Sequence, residues 1–521
     1  MCSARNRALQ LDEICREIVA HIPSHTEKGE TSYHRSLARL ARTSNAFFVP
    51  AIDALWYTLS STKPIIHLLD FLPFGTPAKA FAETASSRND RTCPLWRLHY
   101  YAGRIRKLSV TQYVNQQREL AAYARLRSVS GFQPLFTRLN ELEIVWSDIQ
   151  HYQDLLDFTS LVAAPSLHRM SVKLSLEQRH GLDMLLPVLE PFICKSASLS
   201  SLKVELPEGQ DANVTLLQKV MSFKRLEALE LRGIFVSVTH LNDVLGHSDS
   251  LCYLNAQIAD NNLSGSLSHS PALFRCLNVL ETTGTPVHIM ELVKILPETL
   301  TKLSLPLQTL SSLEINDICI RIGHRFRSFG TLKTLCISTP FQSNIDDDHP
   351  STGLFTIRPL FDIDTLEDVN ITFGEHILVW KDDDVLTLAT AWPRLKSLML
   401  DWVPADIPQV PTLHTLVLFA QRCSNLRSLI LREVRMSRIR EATSLKVHPH
   451  GLRSLQFIHP PTTCQLRDLN GVHYFLDRLF PYCEIVAVGT DDGWRHVLTE
   501  IRYSRTGEIT LSNIVPARRF G

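Results

Sequence analysis

Residues 395–431 decide the fold. The stretch opens on LKSLML (395–400) and closes on LRSLIL (426–431), two copies of one frame, LxxLxL. A third copy, LRSLQF, follows at 452–457. In an extended chain side chains alternate between faces, so Leu398 and Leu400 share one side while Ser397 and Met399 take the other. Working outward, the frame recurs at Ile105-Leu108-Val110, Leu139-Leu142-Ile144, Leu167-Met170-Val172, Leu199-Leu202-Val204 and Leu226-Leu229-Leu231. Leu251-Leu254-Ala256 and Leu277-Leu280-Thr282 are poorer copies. Leu300-Leu303-Leu305, Leu332-Leu335-Ile337 and Leu366-Val369-Ile371 restore it, and Cys483-Val486-Val488 is a degenerate last member. Successive first positions keep a fairly even spacing, the mark of a stacked unit. One copy would mean nothing; a long series of them predicts a repeat architecture.

The frame resembles that of leucine-rich repeats, in which a short strand and a return segment form each unit. Helical spacing between the frames, over Tyr152 to Val162, Leu182 to Ile193 and Val214 to Met221, supplies return helices. The expected fold class is therefore α/β: a short N-terminal helical domain followed by an irregular leucine-rich-repeat-like solenoid of parallel strands with return helices. Leucine-rich repeats usually place Asn or Cys in the turn after the frame. Here those places hold Ser147, Ser175, Pro207, Ile234, Val403 and Val434, so the Asn ladder is missing and irregular units are expected. Gln342 to Thr356 reads as a surface loop. Asp382-Asp383-Asp384 opens a helix through Trp392, where acidic side chains favour the helix dipole.

Alternation also predicts which side chains meet a partner. With Leu142 and Ile144 inward, Glu141, Glu143 and Val145 point to the concave face. The same register presents Lys173, Lys203, Glu230 and Arg232, then Asp368, Asp401 and Arg432. The acidic and basic members nearly balance, whereas a nucleic-acid groove is mostly basic. The face reads as a mixed polar surface for an unidentified protein, or simply as solvated strand residues.

Before the repeat stand three short helical patterns. LQLDEICREIVAHIP (9–23) brings Leu11, Ile14, Ile18 and Ile22 to one face; SLARLARTSNAF (36–47) does so for Leu37, Leu40 and Ala41. The third begins at Pro50 and carries Ile52, Leu55, Trp56 and Leu59. Helices this short need another surface to lean on. Their order and wording resemble an F-box domain of the kind found in large families of mushroom-forming fungi. Many F-boxes have Pro after the first Leu, where this chain has Asp12. The resemblance implies docking on the Skp-type adaptor of a cullin–RING (SCF) ubiquitin ligase, with Leu11, Ile14, Ile18, Leu37, Leu40, Phe47 and Trp56 as the adaptor-binding set. It implies a substrate receptor whose solenoid holds a target protein. The alternative is a protein-interaction scaffold whose N-terminal helices form only a cap, with no ubiquitin role.

The resulting domain organisation is an F-box-like helical domain at 1–62, a helical connector at 63–100, the solenoid at 101–490 and a C-terminal cap at 491–521. In the cap, Trp494 to Tyr503 reads as a helix and Glu508 to Leu511 as a strand. Lys+Arg 54 against Asp+Glu 53 gives a formal net charge of +1 and no basic excess for nucleic acid or anionic membrane. No apolar run reaches the length of a membrane span. The eleven cysteines are scattered without a CxxC pair, consistent with reduced thiols in the cytoplasm or nucleus. There is no phosphate-binding glycine loop or nucleophile elbow. His21 and His25 are separated by Pro23, and His448 and His450 stand in a turn-prone stretch without an acidic or thiol ligand nearby. No enzyme, metal or cofactor is expected.

Overall fold

The computed structural model describes residues 12–22, 30–69, 96–112, 122–127, 134–147, 152–175, 181–211, 214–241, 248–259, 275–307, 311–339, 351–404, 410–435, 448–458, 469–487, 499 and 501. The chain divides into two compact units, Met1–Phe235 and Val236–Gly521.

The first unit begins with helices α1 (Asp12–Ala20), α2 (Glu30–Thr43) and α3 (Asn45–Tyr57). Strand β1 (Thr58–Leu59) and helices α4 (Lys63–Leu69) and α5 (Trp96–Ala102) lead into the repeat. Then come β2 (Lys107–Gln112), β3 (Glu141–Trp146), α6 (Tyr152–Val162), β4 (Arg169–Leu174), α7 (Gly181–Lys195), β5 (Ser201–Asp211), α8 (Val214–Met221) and β6 (Ala228–Val236). Each strand pairs in parallel with the next in sequence. The register places Leu108, Leu142, Met170, Leu202 and Leu229 in one column and Val110, Ile144, Val172, Val204 and Leu231 in another. No member of either column is more than 3% exposed. These are the fourth and sixth places of the frame. Their apolarity drives the stacking, because one unit cannot cover its own face.

The second unit continues the scheme with β7 (Tyr253–Ile258), β8 (Val279–Gly284), α9 (Pro286–Ile295), β9 (Lys302–Pro306), α10 (Ser312–Phe326) and β10 (Thr334–Ser338). After these lie β11 (Ser351–Thr352), α11 (Gly353–Ile357), β12 (Asp368–Val379), α12 (Asp382–Ala391), β13 (Ser397–Pro404), α13 (His414–Arg422), β14 (Ser428–Leu431), β15 (Ser454–Phe457), α14 (Leu469–Leu479) and β16 (Glu484–Ala487). Leu254, Leu280, Leu303, Leu335, Val369, Leu398, Leu429, Leu455 and Ile485 form its inner column. Both units are thus leucine-rich-repeat-like α/β solenoids with strands in sequence order, except that β10 pairs directly with β12 and the two-residue β11 pairs with the far end of β12.

Backbone bonds join each frame to the next at its start. The carbonyl at the second place of a frame accepts two consecutive N–H groups from the next unit. Asn140 O accepts His168 N at 2.9 Å and Arg169 N at 3.0 Å; Glu367 O accepts Lys396 N and Ser397 N; Arg427 O accepts Arg453 N and Ser454 N. The first-place N–H of Leu139, Leu167, Leu199, Leu226, Leu395 and Leu426 donates three residues back, closing the turn out of the preceding segment. Hydroxyls add to these bonds at the joints: Ser166 Oγ donates to Leu139 O at 2.9 Å, Thr299 Oγ1 to Leu277 O at 3.0 Å and Thr365 Oγ1 to Leu332 O at 2.8 Å.

Several expectations need correction. Pro207, Ile234 and Val403 lie within β5, β6 and β13, because these strands run past the frame. The β5–β6 pair shifts register between Glu205 and Gln210. Gly233, at positive φ, passes this irregularity, and an added Cβ there would run into the carbonyl oxygen of Leu206. Only glycine tolerates both the turn and the close approach. In the last unit Ile485, not Val486, pairs with Leu455. That one-residue slip turns Val486 outward. Ser351–Ile357 forms a two-residue strand and a short helix in place of the end of a loop. The third helix starts at Asn45 and holds Pro50 inside it. Ser44 caps it, its Oγ accepting Ala46 N at 3.2 Å. A serine in this place satisfies an N–H that the first turn leaves without a partner. Of 491–521, only 499 and 501 are described; Ile501 is buried, and the other tail expectations lie outside the described residues.

Candidate functional site

The first candidate surface is built by α1–α3. Val19, Leu37 and Ala51 form a small core of their own, with Ile22, Tyr33, Leu40, Ala41, Phe47, Ala54 and Leu55 packed around it. On α1 the buried side chains are Cys15 and Val19, whereas Ile14 and Ile18 are 37% and 40% exposed. The two pairs sit about 100° apart on the helix. The apolar arc of α1 is wider than the face the described residues bury, and its Ile14–Ile18 side stays about two-fifths exposed. Helix α3 adds Phe48, Val49 and Tyr57 to the exposed set. The three helices thus hold five of the twelve large apolar side chains exposed among the described residues. That concentration marks them out from scattered surface hydrophobics, which need no explanation.

The predicted adaptor-binding residues divide. Ile14 and Ile18 are exposed, as an interface requires. Leu37 is fully buried, and Leu40 and Phe47 pack against the helical core. Trp56 stacks on Tyr101 of α5 with ring centroids 4.6 Å apart. Asp53 reinforces that junction with an ion pair to Arg104 at 2.8 Å and separately reaches Arg16 of α1 at 3.5 Å. Leu11 lies outside the described residues. Phe48 and Val49 escaped the sequence reading because starting α3 at Pro50 left out its first turn, and Tyr57 because it falls off the face of Ile52, Leu55, Trp56 and Leu59. The Ser44 cap was the missed signal.

The second candidate surface is the outward side of the strands. In the first unit Lys107 pairs with Glu141 at 2.8 Å, and Arg169 approaches the same carboxylate at 3.7 Å. Ser109 Oγ donates to Glu143 at 2.8 Å. Lys173 bonds Glu205, Lys203 pairs with Glu230 at 3.5 Å, and Arg232 pairs with Glu230 at 2.5 Å. The Lys173 ammonium holds the Glu205 carboxyl below its ordinary value. In the second unit Lys302 and Tyr253 both bond Glu281, and Thr334 reaches Asp368 at 3.5 Å. Most of the predicted partner-facing charges therefore bond one another across neighbouring strands.

Asp401 and Arg432 depart furthest from expectation. Leu400 pairs with Leu431, so these residues stand opposite each other on adjacent strands. They pair at 2.9 Å with side chains only 7% and 12% exposed. The expected presentation of Asp401 to a partner is corrected to a buried ion pair. Arg432 covers Asp401 and supplies the counter-charge that makes its burial tolerable.

Other titratable groups act in packing. Burial pushes the Cys319 and Cys423 thiols up to about 12, far from the thiolate that nucleophilic chemistry uses. Asp382 accepts Thr412 N at 2.7 Å and the Thr412 and Thr415 hydroxyls at 2.6 and 2.9 Å, tying α12 to the start of α13. Among the described residues no group of three or more His, Cys, Asp or Glu could hold a metal ion. No helix among them is long and apolar enough to cross a membrane.

No family model matches the chain, and no curated protein matches its sequence. Among solved structures, the crystal structure of an internalin, InlF, from Listeria monocytogenes is similar over 78% of this chain and 98% of that chain. The TM-score is 0.36 and the identity 13%.

Proposed function

We propose that this chain is a protein-interaction scaffold that serves as the substrate receptor of an SCF-type ubiquitin ligase. In this reading α1–α3 are an F-box of the mushroom-fungal kind and dock a Skp-type adaptor, while the solenoid holds a target protein, in the cytoplasm or nucleus. The supporting observation is the exposure of Ile14, Ile18, Phe48, Val49 and Tyr57 on helices whose own core is closed by other residues. A sealing cap has no reason to keep that much apolar surface in water. The contribution to ubiquitin transfer is positional. Holding a target beside the ligase raises the effective concentration of its lysines near the loaded conjugating enzyme. On the strand face the target meets paired charges, whose near-neutral sum favours a mixed polar protein surface over a polyanion.

The test is co-elution of the full chain with a purified fungal Skp-type adaptor on size-exclusion chromatography. A stable one-to-one complex at micromolar concentrations is expected. Separate elution at tens of micromolar would remove the adaptor role. The scaffold with an N-terminal cap is the second reading, favoured by the inward packing of Leu37, Leu40, Phe47 and Trp56. It would then stand.

A further inference from the structure

Helix α2 turns Tyr33, Leu37, Leu40 and Ala41 towards the helical core. At 100° per residue, Arg35, Arg39 and Arg42 fall within an arc of roughly 60° on the opposite side. All three are exposed. Among the described residues, none of the three guanidinium groups has an ion-pair or hydrogen-bond partner. Many other cations of this chain are neutralised by its own carboxylates, as Lys107, Lys203, Lys302 and Arg432 are across the strands. Within the helical segment, Asp12 and Asp53 are engaged by Arg16, Asp53 also by Arg104, and Glu17 by His21. Arg42 stands in the last turn, where it complements the helix dipole. That effect fades within one turn, so it does not account for Arg35 or Arg39. Like charges at i, i+4 and i+7 disfavour the isolated helix by a small amount each.

We propose that this arginine stripe is the docking surface for an acidic helical segment of a partner protein. The spacing selects a helix. Three carboxylates at i, i+4 and i+7 of a helix span about 10.5 Å, the same distance as the three arginines. Three same-side carboxylates on an extended strand span about 13 Å and drift out of step. Arginine adds geometry to charge, since its planar fork can hold both oxygens of a carboxylate. The stripe lies on α2, whereas the exposed apolar residues lie on α1 and α3. The two surfaces can therefore succeed or fail independently.

The test uses the full chain and a fluorescein-labelled helical peptide carrying Glu at i, i+4 and i+7, read by fluorescence anisotropy at low salt. Binding is expected to weaken at least about tenfold in the Arg35→Gln/Arg39→Gln/Arg42→Gln variant, about 1.4 kcal/mol. Gln keeps helix propensity close to that of Arg, and circular dichroism checks the fold. Arg39→Gln alone should give a smaller loss in the same direction. Lys224→Gln/Arg225→Gln, which removes two exposed cations elsewhere, should keep wild-type affinity. Three results would each overturn the proposal: no binding of the striped peptide, equal binding of a peptide with the same Glu residues spread around its helix, or tighter binding of a single-stranded oligonucleotide of matched charge.

Discussion

The double change Ile14→Ala/Ile18→Ala tests the apolar face of α1 quantitatively. Full burial of an isoleucine side chain stabilises by about 1.5–3 kcal/mol. Ile14 and Ile18 are 37% and 40% exposed, so roughly two-fifths of that remains for a partner to cover. Each then contributes about 0.6–1.2 kcal/mol to docking, and the pair about 1.2–2.4 kcal/mol. The expected loss of adaptor affinity is roughly eight- to sixtyfold. The already buried part of each side chain contributes to folding, and the higher helix propensity of Ala offsets some of its loss. Isothermal titration with the adaptor reads the affinity, and circular dichroism at the same temperature checks that the helices persist. Leu37→Ala is the contrasting change. Its side chain is fully buried between the helices. Truncating it should cost about 2–5 kcal/mol of local stability. It should weaken docking only in proportion to helix loss. Wild-type affinity in a folded Ile14→Ala/Ile18→Ala protein would refute the assignment of this face.

Three further outcomes follow from particular contacts. In Gly323→Ala the new Cβ would lie 2.2 Å from Pro359 O, a backbone atom. The resulting shift of α10 should cost about 1–3 kcal/mol. That exceeds the roughly 1 kcal/mol gain in helix propensity, so the urea midpoint should fall; a rise would contradict the packing. Arg432→Ala leaves the Asp401 carboxylate buried without its counter-charge. It should cost about 3–5 kcal/mol, whereas Asp401→Leu/Arg432→Leu should cost much less. Equal losses in the two proteins would show that the pair is not held as described. His450 donates from Nε2 to Cys423 O at 3.0 Å and accepts Leu452 N at Nδ1 at 3.1 Å. Only the neutral ring can make that arrangement. Burial lowers its pKa below the ordinary 6.5. Its contribution to stability is complete above the ordinary histidine value and declines as pH falls from there towards the depressed folded value. The drop in urea midpoint between pH 7.5 and pH 5.5 should shrink in His450→Gln; an unchanged drop would place the titrating group elsewhere.

The frame LxxLxL was legible because its consequences are local. Period-2 apolarity sends Leu398 and Leu400 inward whatever the neighbouring units do, and repetition makes each unit the natural cover of the next. The degenerate last copy shows the limit. Cys483 closes its turn as a first-place residue should, yet Ile485 takes the inward place expected of Val486. With Ile485, Val486, Ala487 and Val488 apolar in a row, no alternation in the copy could settle the register. Long strands such as β5 and β12 also passed unnoticed, since their ends depend on what pairs beside them.

The sequence by itself determined the sign and spacing of every side chain. From that came the parallel repeat, the alternation along its strands and the three amphipathic helices before it. Only the tertiary structure decided which of those side chains were used up inside the molecule. Leu37 and Ile18 share the same helical periodicity, but Leu37 meets Val19 and Ala51 and is fully buried while Ile18 stays 40% exposed. Asp401 alternates outward like Glu230, but register sets it against Arg432 and removes it from solvent. The physical reason is that periodicity sets the direction of a side chain relative to its own backbone. What waits in that direction is set by chain segments dozens of residues away.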